Sequence, residues 1–136
     1  MSSTTDLDTL LNQFTPQDVI GAIIAYSGVD AFPSDRQKLH NFVRLEKSGD
    51  GAELLKQFVF SKDVDTYPFS MLLESVLMQL QLGRWLSAMN PEYNHFGLTD
   101  QIREDIKTKV KERFSPEELI ILEKIGKRFK IFVDQG

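Results

Sequence analysis

Residues 68–83 read PFSMLLESVLMQLQLG and form the most strongly periodic segment of the chain. Its apolar side chains recur three and four residues apart, the spacing that places them on one face of an α-helix. Pro68 suits the first turn of a helix because it has no N–H to leave unbonded, and Gly83 is a typical residue at a helix end. We therefore predict a helix over residues 68–83, with a buried stripe of Phe69, Leu72, Leu73, Val76, Leu77 and Leu80.

Two further helices are predicted before this segment. Thr15 can cap the first, Pro16 suits its first position, and the apolar residues that follow keep helical spacing as far as Gly28. The second begins with a capping box over residues 34–37 and ends at residues 48–49, a Ser-Gly pair. These two helices precede the periodic one in the chain.

The segments on either side of the periodic helix are predicted to be shorter. A short helix over residues 52–57 and a brief strand over residues 58–60 come before it. Two short strands, over residues 84–89 and 93–98, follow it around a turn at residues 90–92.

Two helices are predicted at the C-terminal end. Thr99 or Asp100 caps the first, which covers about residues 100–113. The second begins where Ser115 and Glu118 form a capping box around a proline in the first turn.

The predicted order is helix, helix, strand, helix and a two-stranded hairpin, which is the pattern of a winged helix-turn-helix domain. The two C-terminal helices extend it. We therefore predict a single, mainly helical α+β domain over residues 14–136, preceded by a flexible tail over residues 1–13. In this arrangement the helix at 68–83 takes the position of the recognition helix, and the turn at 90–92 forms the wing.

Four short motifs are YPFS at 67–70, QLGR at 81–84, NPEY at 90–93 and FGLT at 96–99. They resemble motifs of the YwgA-like winged-helix proteins of bacteria. The step from Gln37 to Leu39 is similar to the start of the second helix in that family. The resemblance spans about residues 19–130 and implies a winged-helix fold and an association with bacterial defence or regulation.

Charge and composition limit the classes of function. The chain has 136 residues, a formal net charge of −4 and a pI near 5.2, so binding DNA would need a local basic patch. It contains no cysteine, which excludes disulfides, thiolate nucleophiles and cysteine-ligated metals. Because the sequence shows neither a secretory signal nor an apolar run of membrane-spanning length, we expect a cytoplasmic protein with no membrane partner.

No motif in the sequence indicates catalysis or a cofactor. His40 and His95 have no second ligand at a metal-binding spacing and no triad-like neighbours. We expect His40 at the surface or its boundary, and His95 half exposed in a wing strand. No glycine-rich phosphate loop is present either. We therefore expect a non-enzymatic protein with no cofactor, no metal and no small-molecule substrate.

The helix at 68–83 carries a second apolar face opposite its core stripe. Either another helix of the same chain packs over this face, or it contacts a second copy or another protein. Methionine suits an adaptable interface because its side chain is flexible and polarizable. Our main hypothesis is an interaction or regulatory protein, a homodimer, that acts through this face. Its residues are Met71, Ser75, Met78 and Leu82.

The alternative hypothesis is a DNA-binding transcriptional or defence-associated regulator. The outer face of the helix at 68–83 offers few groups for reading bases, so contacts would come from its end, the wing and the next helix. In that next helix acidic residues alternate with basic ones, a mixture typical of a solvated face. The candidate contacts are Arg84, Asn90, Tyr93, Asn94, His95, Arg103 and Lys107.

Overall fold

The first helix, α1 (Pro16–Ser27), lies at the centre of the molecule. In the computed structural model, which describes residues 15–33, 35–61, 69–82, 87–89 and 95–135, most of its side chains are buried. The small and branched apolar side chains of this helix point outward on several sides instead of forming one stripe. Other elements therefore have to pack against it on several sides. The buried apolar residues are Val19, Ile20, Ala22, Ile23, Ile24 and Ala25.

Both ends of α1 form as the sequence predicts. The Thr15 side chain accepts a hydrogen bond from the backbone N–H of Asp18, and the Asp18 carboxylate accepts one from the backbone N–H of Thr15. This reciprocal capping box satisfies two donors at the helix start. Gly28 ends the helix with φ at 78°, a left-handed conformation that glycine adopts without the steric cost of a Cβ.

Four more helices and three short strands are described after α1. They form a mostly helical molecule with a small antiparallel sheet, in agreement with the predicted α+β class. The predicted tail over residues 1–13 lies outside the described residues. Within the described part of the chain, no helix is both long and apolar enough to cross a membrane. The elements are β1 (Ala31–Pro33), α2 (Arg36–Lys47), α3 (Met71–Leu82), β2 (Ser87–Met89), β3 (His95–Gly97), α4 (Asp100–Lys111) and α5 (Pro116–Gln135).

The three strands form one antiparallel sheet in the order β1, β3, β2. Strand β3 lies in the middle, with Phe96 opposite Phe32 of β1 and opposite Ala88 of β2. Strands β2 and β3 pair within the two predicted strands, and the predicted turn at residues 90–92 lies outside the described residues. Strand β1 was not predicted. The Phe32 ring packs edge-on against Phe96, with centroids 5.5 Å apart, and against Phe129 of α5 at 5.2 Å. These aromatic contacts stabilise β1, although the strand is too short to show an alternating pattern in its sequence.

The segment between α2 and α3 differs from its prediction. Residues 52–57 form successive turns instead of a helix, and residues 58–60 are not a strand. The side chains at 58 and 59 do alternate between buried and exposed, as in a strand. However, the bridge between Ser61 and Phe69, with N···O distances of 2.8 and 2.9 Å, does not extend into a ladder. Alternation alone does not make a strand where no neighbouring strand pairs with it.

Helix α2 begins one residue later than predicted. Its N-cap is Asp35, whose carboxylate accepts a hydrogen bond from the backbone N–H of Lys38 at 3.2 Å. A carboxylate at this position is also stabilised by the positive end of the helix dipole. The helix ends at Lys47 with Ser48 as its C-cap, where the sequence predicts the stop.

Two carboxylates tie distant helices together. Asp18 of α1, almost fully buried, accepts a hydrogen bond from Arg113 at 3.1 Å and lies 3.9 Å from Lys109 Nζ. Glu46 of α2 accepts two bonds from Arg128 of α5, at 2.7 and 2.8 Å. Bidentate pairs of this kind fix orientation as well as charge. The start of α1 is thus bound to the end of α4, and α2 to α5.

Helices α1 and α5 approach closely because Gly126 has no side chain. A Cβ at this position would lie 2.9 Å from the carbonyl carbon of Tyr26 and 3.0 Å from the backbone nitrogen of Ser27. Both are backbone atoms of α1, which cannot rotate away as a side chain can. Gly126 therefore sets the distance between the two helices.

We expect Gly126→Ala to lower the free energy of unfolding by about 1–3 kcal/mol, the usual cost of overpacking a core. Alanine is favoured over glycine in a helix by about 1 kcal/mol, but the shift of α1 outweighs this gain. Gly49→Ala is the matched control, because the atom nearest to its added Cβ is 3.9 Å away. Urea unfolding followed by circular dichroism measures both variants, and equal stability of the two would contradict the close approach.

Candidate functional site

Helix α3 has two apolar faces, and only one of them is buried. The buried side chains are Leu73, Val76, Leu77 and Leu80. On the opposite side Met71 is 79% exposed, Met78 62% and Leu82 77%, and Ser75 is exposed between them. We call Met71, Ser75, Met78 and Leu82 the outer face of α3. These are the four residues predicted from the sequence as an interface.

Among the residues that the structure describes, no other helix packs over the outer face. The sequence left open whether one of them packs over it. Helix α3 instead packs against α1 with its other side, where Leu73 and Leu77 line a small apolar cavity of about 30 Å³ together with Ile20 and Ile23. The outer face therefore points away from the core and is available to a partner.

A buried histidine fixes the start of α3 to α2. His40 Nδ1 accepts a hydrogen bond from the backbone N–H of Ser70 at 2.9 Å, and His40 Nε2 lies 3.3 Å from Glu74 Oε1. Because Nδ1 accepts, the ring proton is assigned to Nε2, which donates to the Glu74 carboxylate. Ser70 Oγ accepts a hydrogen bond from the backbone N–H of Leu73 at 3.2 Å and so caps α3.

The prediction that His40 lies at the surface or its boundary is wrong. His40 is fully buried, and its ring stacks on Phe69 with centroids 4.8 Å apart and planes 8° from parallel. No local feature of the sequence indicates this burial, because the partners of His40, Ser70 and Glu74, lie 30 and 34 residues further along the chain. By anchoring the first turn of α3, His40 helps to determine which side chains of that helix face outward.

A groove extends the outer face at the start of α3. It encloses about 540 Å³ between the first turn of the helix and the loop before it, and its loop side includes Val59, which is 71% exposed. The sequence did not predict this groove, because its loop side, which includes Val59, was predicted to be part of a short helix and a strand. No local sequence signal indicates the groove, because Phe58, Val59 and Phe60 are all apolar, although Val59 is exposed. The lining residues are Gln57, Val59, Ser61, Phe69, Ser70, Met71 and Leu72.

The outer face carries no charge. Helix α3 contains a single ionisable side chain, Glu74, and this carboxylate is directed towards His40. An apolar surface can cover the outer face without removing an ion from water. The same lack of cations makes the face unsuited to phosphate, which is bound chiefly by lysine and arginine.

Arg103, predicted as a phosphate contact, is a structural residue instead. Its largely buried guanidinium donates hydrogen bonds to Asp100 at 2.6 Å, to Asp30 at 2.7 Å and to the carbonyl oxygen of Val29 at 2.7 Å. The hydrogen bond with Asp30 is the main cause that raises the pKa of Arg103 above its ordinary value. Binding a phosphate would require this guanidinium to give up bonds that join the start of α4 to the loop after α1.

Lys107, the other predicted contact on α4, is half-buried. Its Nζ lies 5.5 Å from the centre of the Tyr26 ring and 4.0 Å from Glu104. A cation over an aromatic face gains about 0.5–1 kcal/mol at such sites. Lys107 and Arg103 thus both contact parts of the protein itself.

The remaining predicted contacts are not brought together in the described residues. Of His95 only the backbone position in β3, opposite Pro33 and Met89, is described. Across the described part of the chain, no cluster of three or more histidine, aspartate and glutamate side chains could hold a metal ion. The contacts outside the described residues are Arg84, Asn90, Tyr93 and Asn94.

We expect His40→Leu to lower the free energy of unfolding by about 1–3 kcal/mol, because the Ser70 N–H and the Glu74 carboxylate lose a buried partner. His40→Asn should recover part of this loss, since its amide oxygen can still accept from Ser70. Gln79→Ala, at an exposed position of the same helix, serves as the control. Urea unfolding would contradict the anchoring role if His40→Leu were as stable as the control.

Comparison with known proteins gives no match, since no family model, no curated protein and no solved structure matches this chain. The outer face of α3 and the contacts that hold it are therefore the basis for proposing a function.

Proposed function

We propose that the protein is a non-enzymatic winged-helix module that acts through protein–protein contact and forms a homodimer through the outer face of α3. Its role is interaction or regulation, with a second copy of the chain as the partner. The exposure of Met71, Met78 and Leu82 on one side of a helix is the observation that carries the proposal.

The order of elements supports the winged-helix part of the proposal. Up to β3 the chain runs α1, β1, α2, α3, β2, β3, and its sheet has the strand order β1, β3, β2. A winged helix has this succession, with the third helix at the recognition position and the wing between the last two strands. Membership of the YwgA-like family stays a prediction from the sequence.

Burial of apolar surface supports the interaction part. Fully burying a methionine or leucine side chain contributes about 1.5–3 kcal/mol relative to leaving it in water. Three such side chains lie within three turns of one helix, at Met71, Met78 and Leu82. Clustered exposed apolar residues of this kind mark interaction sites, whereas single ones are ordinary. A second copy offers the same uncharged surface in return.

Substituting Met78 by glutamate tests the proposal, because it places a charge in the middle of the outer face. We expect the dissociation constant of the dimer to rise at least about 100-fold, which corresponds to about 3 kcal/mol. The helical content should stay unchanged, since residue 78 is exposed in the single chain. Light scattering over a concentration series gives the molar mass, and circular dichroism gives the helical content.

Gln37→Glu is the matched control, because it adds the same charge at an exposed position of α2. This variant should dimerise like the parent. If the parent protein remains a monomer at every concentration, the proposal of a homodimer is refuted. A Met78→Glu variant that dimerises like the control would exclude the outer face as the contact.

A DNA-binding regulator is the second candidate, favoured by the same order of elements. Two observations argue against DNA binding. Helix α3 carries no lysine or arginine, and the Arg103 guanidinium already donates hydrogen bonds to Asp30 and Asp100. In a winged-helix DNA reader the helix at this position contacts base edges in the major groove. Here that helix presents methionine and leucine.

We expect no mobility shift of duplex DNA by the parent protein, even at low salt, where phosphate contacts bind most strongly. A shift that weakens steeply with added salt would favour the regulator instead. In that case Arg84→Ala should reduce it more than Lys38→Ala, an exposed lysine on α2.

A further inference from the structure

We infer that two copies pair through α3 in antiparallel orientation, with the two-fold axis passing between residues 76 and 77. This inference rests on the proposed homodimer and adds its geometry. In this pairing Met71 packs against the partner's Leu82, and Ser75 packs against the partner's Met78.

The spacing of the outer face is the first argument. Its four residues are separated by four, three and four positions. Reversing the direction of the helix maps this set onto itself, with Met71 exchanged for Leu82 and Ser75 for Met78. Alternating steps of three and four are also the spacing at which side chains of one helix fit between those of another. An antiparallel two-fold contact is thus satisfied by one and the same face on both copies.

The sizes of the side chains are the second argument. Antiparallel pairing places the small Ser75 opposite a large methionine in both central layers. Parallel pairing would place Met78 against the partner's Met78 and Ser75 against the partner's Ser75, which crowds one layer and leaves a gap in the other. Interfaces and cores are most stable where large and small residues alternate across facing positions. Antiparallel helices also set opposite ends of their dipoles side by side.

The groove beside Met71 is the third argument. In the antiparallel register the partner's Leu82 lies over the start of α3, where the groove of about 540 Å³ opens next to Val59. Leu82 is 77% exposed in the single chain, so most of this apolar side chain faces water unless a partner covers it. The groove provides apolar surface at each end of the dimer for this side chain. Parallel pairing would bring two Leu82 side chains together and leave both grooves empty.

Cysteine cross-linking distinguishes the registers, and it is clean here because the chain contains no cysteine. Two variants are needed, Met71→Cys and Leu82→Cys. The two positions lie eleven residues apart, about 16 Å along the helix. A disulfide requires Cα atoms within about 7 Å, so a cysteine can bridge only to a position directly opposite.

We expect an equimolar mixture of the two variants to form a disulfide-linked dimer on oxidation at high micromolar concentration, as seen on a non-reducing gel. Each variant alone should cross-link no faster than Thr108→Cys, an exposed site on α4. Mass spectrometry of the linked species should show one copy of each variant.

Self-linking of either variant alone would overturn the antiparallel register and indicate parallel helices. The antiparallel register would also be overturned if light scattering under reducing conditions showed a dimer but oxidation of the mixture gave no disulfide-linked species. A parent protein that is a monomer under the same reducing conditions would refute the proposed homodimer itself, so the two failures are distinguishable.

Discussion

The burial of α1 requires apolar surface on several sides of a helix about 18 Å long. Isoleucine, valine and alanine follow one another around its circumference, and α3, α4 and α5 each cover part of it. The closest of these contacts is made at Gly126, where the backbones of α5 and α1 touch without an intervening side chain. Once α1 is enclosed in this way, each covering helix keeps only its other side for further contacts.

Polar anchors then fix how the covering helices are oriented. Asp18 binds the end of α4 through Arg113, and Glu46 binds α5 through Arg128. His40 performs the equivalent task for α3, since it holds Ser70 and Glu74 in the first turn of that helix. These contacts are directional, whereas apolar packing tolerates rotation. They keep the outer face of α3 turned away from the core, and this orientation makes it the candidate site.

Much of this arrangement could be predicted from local sequence signals. Caps and helical spacing predicted α1 and α5. Helical spacing also predicted α3, but the predicted start at Pro68 is wrong, because Ser70 caps the helix, which begins at Met71, and Phe69 lies in a bridge before it. The helical wheel of α3 predicted the four residues of the outer face. Strand β1 could not be predicted, because three residues ending in a proline show no alternation. It exists because Phe32 packs between Phe96 and Phe129, residues that are distant in the sequence.

The roles of individual polar residues were the least predictable part. Arg103 has the sequence context of a surface charge, yet Val29 and Asp30 bind it from more than 70 positions away. His40 lies between Leu39 and Asn41 in the chain, a context that does not indicate burial, yet Phe69 covers its ring. The groove also escaped prediction, since its two walls come from a loop and a helix end. Local patterns predict faces of helices well, and long-range partners of single side chains poorly.

The enclosure of α1 also determines when this helix can become buried during synthesis of the chain. Asp18 and Arg113 are 95 positions apart, and Gly126 follows later still. Contacts between such distant residues form late, because a long loop has to close first. During synthesis the roughly 100 residues between α1 and Gly126 take about 5–20 s to add. Until α4 and α5 have been made, the apolar side chains of α1 lack the helices that cover them, and exposed apolar surface of this kind favours aggregation.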